Sequence, residues 1–138
     1  MIDALIGVAV GVLTIVLARI IRGQHWLYSI GLLSLPSLYA SFALRAGEPA
    51  VGVKEMIYGV PFVVVGLVFA FVSVRQSAVV VGAFWILHGL YDLTHRRFFT
   101  NAGVPDWYPG FCFSVDVVVG AYVLWLSRRI SNANLRQA

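Results

Sequence analysis

The sequence predicts an all-α, polytopic membrane protein, with five transmembrane helices in an up-and-down bundle. Two observations lead there. Of the 138 residues, 60% are hydrophobic and 12% charged, whereas a soluble domain carries roughly 25% charged residues. The apolar residues also gather into five segments close to the roughly 20-residue length that crosses a bilayer, with short connections between them. A chain of this size makes a single domain, 1–138, so its activity has to reside in the helices and short loops. The net charge of +4 fits arginines facing anionic lipid, and the bilayer is the expected partner. Lys and Arg are scattered singly or in pairs and form no basic stripe, which excludes nucleic-acid binding.

The first span, about 2–18, has no basic residue before its apolar run and arginines after it, the reverse of a cleavable signal peptide, so it is expected to be retained. Gly7 and Gly11 have the four-residue spacing that lets helices approach closely, either inside the chain or between copies in a homo-oligomer. Arg19, Arg22 and His25 mark a polar turn, with Trp26 and Tyr28 at headgroup level. In the second span, about 26–44, Ser34, Ser37 and Ser41 share one face with Pro36 between them. They form either the polar wall of a pocket or a small-residue packing face with a kink.

The third span, about 56–74, opens beside Glu55, with Tyr58 one turn deeper. Glu55 is either a carboxylate at the membrane edge, favoured by the helix dipole, or an addition to a buried site. The fourth, about 78–96, contains WILHGLYDLTHRR, in which His88, Asp92 and His95 recur on one helical face. The fifth, about 109–127, carries Cys112 and Asp116 and leads into a polar, frayed tail, 128–138. A lone cysteine excludes an internal disulfide and a Cys-rich metal site. Cys112 either borders the site or packs as a small hydrophobe.

With the N-terminus outside, six Lys and Arg (Arg19, Arg22, Arg75, Arg128, Arg129, Arg136) lie inside and four (Arg45, Lys54, Arg96, Arg97) outside. That majority favours a cytoplasmic C-terminus in a multi-pass protein of the cell inner membrane. His88 then lies about 13 Å and Asp116 about 10 Å below the outer surface, so the two depths match across neighbouring helices. Ionised groups at such depth cost about 2.5–3.5 kcal/mol each and are functional by default.

His88, Asp92 and Asp116 are accordingly the candidate catalytic residues. His88, Asp92, His95 and Asp116, with Glu55, are the candidate ligands of one divalent metal: zinc, iron or manganese. Ser34, Ser37, Ser41, Tyr58, Tyr91 and Cys112 are expected to line the pocket, with Arg96 and Trp107 at a headgroup or gate position. The expected function is a membrane-embedded enzyme acting on a lipid-like or isoprenoid substrate by metal-assisted or acid-base chemistry. A proton-coupled transporter or channel is the first alternative, and a non-catalytic accessory subunit the second.

Residues 88–116 follow the pattern His-Gly-x-x-Asp-x-x-His, then Val-Pro-x-Trp-x-Pro-x-x-Cys-x-x-x-Asp. In this the chain resembles a small bacterial family of uncharacterised integral membrane proteins, and the resemblance implies a shared site. His88 and Asp92 are also similar to the histidine and carboxylate, four residues apart, of sterol isomerases in the emopamil-binding-protein-like (EXPERA) group. The acid here is aspartate rather than glutamate, and five spans are expected rather than four. That similarity implies a flat lipid or isoprenoid as substrate.

Overall fold

The computed structural model describes residues 2–24 and 26–135, without the side chains of 74–76 and 130–135. His25 and Arg136, and the side chain of Arg75, therefore lie outside the described residues. The chain forms α1 (Ile2–Ile20), α2 (Leu27–Arg45), α3 (Pro49–Phe69), α4 (Val74–Thr94), a 3-10 turn (His95–Arg97) and α5 (Tyr108–Leu135). All five α-helices contain a segment long and apolar enough to cross a membrane.

Several boundaries differ from expectation. Helix α3 starts at Pro49 rather than near residue 56, because proline at the first helical position has a preset φ and no N–H to satisfy. It ends at Phe69 and not at 74. Glu55 is thereby lifted off the membrane edge into the second turn of the helix. At the other end, α5 continues to Leu135 through the predicted tail. Nothing from Ser127 to Leu135 is Pro or Gly, and Arg129 covers the Trp125 ring at 4.4 Å, a favourable i, i+4 contact on a helix surface.

The close approaches at glycines give the helix directions. Contacts run from Gly82 beside Leu124 to Gly89 beside Asp116 and Phe113, so α4 and α5 are antiparallel. Gly52 meets Ala40 and Ala43 while Gly66 meets Ser29 and Leu33, which makes α2 and α3 antiparallel as well. Helix α1 lies parallel to α5, with Gly7 beside Ser114 and Gly11 beside Val118. A Cβ on Gly7 would come within 2.8 Å of Ser114 Cβ, so only glycine allows this spacing. Both glycines are buried against α5 within the chain.

Packing is uneven. Helices α2 and α3 form one closely packed pair, and α1, α4 and α5 form a second unit, whereas α3 and α2 meet α4 only along a narrow seam. On one side of the seam's centre the core is apolar, built from Leu32, Val81, Trp85, Val119 and Val123. There Trp85 Nε1 donates to the carbonyl of Tyr28 at 2.9 Å. Toward the α4–α5 loop the seam becomes polar.

Candidate functional site

Each ionisable side chain of the seam is placed by its helix. Gly89, one residue after His88, lets α5 come close: a Cβ there would stand 3.1 Å from Asp116 Cβ. Asp116 consequently faces His88, and its Oδ2 lies 2.8 Å from His88 Nδ1. One turn along α4, Asp92 Oδ2 lies 3.4 Å from the same nitrogen. The three residues are 2%, 1% and 1% exposed for His88, Asp92 and Asp116. Ligand atoms from all three fall within 4.8 Å of one another. The expected pairing of His88 and Asp92 with Asp116 across α4 and α5 is what the structure contains.

His95 does not belong to this group. Seven residues beyond His88 it is back on nearly the same face, but about 10.5 Å further along the axis, too far to share one ion with it. It lies instead in a second centre, contributed by four elements. His95 Nε2 is 2.8 Å from Glu55 Oε1, and Asn101 Nδ2 donates to that same oxygen at 2.7 Å and to the carbonyl of Tyr39 at 3.0 Å. The Tyr91 hydroxyl donates to Glu55 Oε2 at 3.4 Å. Both His95 and Glu55 are buried, so His95 is an interior residue.

The two centres differ in how far their hydrogen bonding is satisfied. Both oxygens of Glu55 are engaged. In the His88 group, by contrast, Asp92 Oδ1, Asp92 Oδ2 and Asp116 Oδ1 are buried without a hydrogen-bond partner. Among the described residues the other such side-chain atoms are Tyr28 OH, Tyr39 OH and His95 Nδ1. The Tyr39 phenol is close enough to Asp92 to interact with it, yet outside hydrogen-bond geometry. Leaving a buried polar atom unpaired costs about 1–3 kcal/mol, more if it is charged. Such atoms concentrated at one point mark a place shaped for something other than stability.

Several expected pocket residues lie elsewhere. Ser34 and Ser37 are exposed and Ser41 is half-buried. Each hydroxyl donates to its own helix, to the carbonyls of Gly31, Ser34 and Leu38, at 2.7, 2.5 and 2.7 Å. A serine satisfied in this way needs no polar wall opposite it. Replacing all three by alanine should change stability in detergent by less than about 0.5 kcal/mol per site and leave any activity intact, as thermal unfolding and turnover would register.

Tyr58 is 46% exposed and packs on Phe98 and Phe99. Cys112 is buried with Tyr39, Val104 and Tyr108 and behaves as a small hydrophobe bordering the seam. Tyr91 does lie within the site, its ring 6.0 Å from that of His88 and 5.5 Å from that of His95. Arg96 is exposed and pairs with Asp106 at the rim of a polar cavity of 240 Å³ lined also by His95, Thr100 and Asn101. Trp107 is exposed beside Phe111.

Two members were missed in the sequence. Tyr39 belongs to the buried stripe Tyr28, Leu32, Leu35, Tyr39 and Ala43, whose three- and four-residue spacing is the signal that identifies the inward face of α2. Asn101 reads as a turn residue, and no local pattern distinguishes it. No family model, curated protein or solved structure matches the chain.

Proposed function

We propose that the chain is a membrane-embedded enzyme acting on a lipid-like or isoprenoid substrate at His88, Asp92 and Asp116, by acid-base or metal-assisted chemistry. The observation that carries this reading is the cluster of unpaired carboxylate oxygens around an imidazole, enclosed in an otherwise apolar bundle. Asp116 holds the His88 ring in one orientation, as a carboxylate does for a general acid-base histidine. Asp92 Oδ2 stands 3.4 Å from the same nitrogen. Proton transfer in so dry a place is strong, because every electrostatic interaction is less screened than in water.

The light packing between the α2–α3 pair and the α1, α4, α5 unit supports a lateral entry for an apolar substrate. Phe62, Phe84 and Tyr91 line that seam with aromatic faces. The His88–Asp92 spacing, resembling that of the sterol isomerases, supports a flat lipid. A transporter needs polar positions on both sides of the centre, and the apolar core around Val81, Trp85, Val119 and Val123 weighs against it. In the orientation favoured by the arginine count, the N-terminus is outside, the C-terminus is cytoplasmic, and the site faces the outer half of the inner membrane.

Purified protein in liposomes of total membrane lipid, followed by mass spectrometry of the lipid pool, tests the reading. A new or depleted lipid species is expected with the native chain, its rate falling about 100-fold or more in His88→Ala and Asp116→Asn. An unchanged pool with folded protein, or a pH-gradient-driven flux lost in Asp92→Asn, would overturn it.

A further inference from the structure

We infer that His88 Nδ1, Asp92 and Asp116 are the three protein ligands of one divalent first-row transition ion, while His95 and Glu55 are not ligands. This rests on the proposed active site and names the cofactor of that same site. Four observations converge on it.

The first is spacing. Two ligand atoms each about 2.1 Å from an ion, at angles between octahedral and tetrahedral, stand roughly 2.9–3.4 Å apart. His88 Nδ1 stands 2.8 Å from Asp116 Oδ2 and 3.4 Å from Asp92 Oδ2, so the two separations from the imidazole already suit coordination, and ligand atoms of all three residues lie within 4.8 Å of one another.

The second is unused capacity. The Asp92 side chain is fully buried, and neither of its oxygens is in a hydrogen bond. One of them is aimed at His88 and therefore into the cluster. Asp116 Oδ1 is unpaired too. An ion takes up acceptors of this kind.

Charge is the third. In the form in which they ligate an ion, two carboxylates and a neutral imidazole carry −2, and the buried polar residues among those described include no Lys or Arg. The nearest arginines in sequence, Arg96 and Arg97, are exposed. A divalent ion brings the site to neutrality, which removes most of the cost of burying the charges.

The fourth concerns which ion and which ligands. An imidazole with two carboxylates suits zinc, manganese or ferrous iron, while calcium and magnesium prefer oxygen-only shells. His95 Nε2 and both Glu55 oxygens are already engaged with each other, Asn101 and Tyr91. Three protein ligands leave a coordination position open, the hallmark of a catalytic rather than structural ion. When bound, such an ion acts as a Lewis acid and lowers the pKa of a coordinated water. His88 would then serve as ligand, and the acid-base variant of the reading would lapse.

The test uses full-length protein in detergent, stripped with chelator and reloaded separately with Zn²⁺, Mn²⁺ and Fe²⁺, with bound ion counted by elemental analysis. About one ion per chain is expected for at least one metal, with affinity at least about 100-fold lower in Asp92→Asn and Asp116→Asn. Glu55→Gln should retain the ion, and X-ray absorption should report one nitrogen among oxygen ligands. Size-exclusion profiles and helical circular dichroism confirm that the variants are folded. No retained ion with any of the three metals, or wild-type affinity in Asp92→Asn, overturns the assignment. Turnover of lipid by ion-free protein overturns it while leaving the enzyme reading intact. One ion per chain without any lipid turnover does the reverse.

Discussion

Replacing Glu55 by alanine should destabilise the protein by about 2–4 kcal/mol, the cost of leaving buried donors without their acceptor and of the cavity left behind. Three donors converge on this carboxylate: His95 Nε2, Asn101 Nδ2 and the Tyr91 hydroxyl. Asn101 would keep its bond to the Tyr39 carbonyl, and the Tyr91 hydroxyl would lose only a long contact. His95 would lose its bond to the carboxylate while its Nδ1 already has no partner, leaving an imidazole that is 1% exposed with no hydrogen bond. Because Asn101 also ties the α4–α5 loop to α2 and α3, the loss should reach the backbone. Arg96 and Arg97, just before that loop, should become faster sites of tryptic cleavage. Glu55→Gln retains the shape and one acceptor and should recover more than half of the loss. Detergent-unfolding curves of the two variants, with the cleavage rates, check this. A Glu55→Ala protein within about 1 kcal/mol of the wild type would show that this node does not hold the seam together.

What the sequence made legible divides along physical lines. Span number follows from hydropathy, which is a property of each segment alone, and all five helices are present. The His88–Asp116 encounter was also legible, since two antiparallel helices joined by a short loop bring equal depths together. His95 and Glu55 were not, because their meeting depends on where α3 begins. The six residues from Pro49 to Lys54 read as loop but form helix, and that shift carries Glu55 from the edge into the interior. The serine face of α2 misled for another reason: a hydroxyl can satisfy itself on its own helix, so its presence says little about which way it points. The buried face had to be read from Tyr28, Leu32, Leu35 and Tyr39 instead. Asn101 depends wholly on tertiary contacts with α2 and α3.

Replacing Asp92 by leucine should act in the opposite sense and leave metal-free protein as stable as the wild type or more so, by up to about 1–3 kcal/mol, while abolishing function. Asp92 is as deeply buried as Glu55, so burial alone would predict similar losses. The difference lies in what each carboxylate leaves behind. Removing Glu55 strands His95. Removing Asp92 costs less, since His88 Nδ1 retains Asp116 at 2.8 Å and loses only a 3.4 Å contact, and the Asp92 oxygens are in no hydrogen bond. Leucine fills a similar space against Tyr39 and removes two unsatisfied acceptors from the interior. The measurement is the detergent-unfolding midpoint of chelator-treated wild type and Asp92→Leu, paired with ion binding and lipid turnover of the untreated proteins. A fall in stability of more than about 2 kcal/mol in the metal-free variant would make Asp92 a structural residue. A stable, inactive variant would mean that the bundle carries this carboxylate at a cost to its own stability, as expected of a group whose partner is a ligand and not the fold.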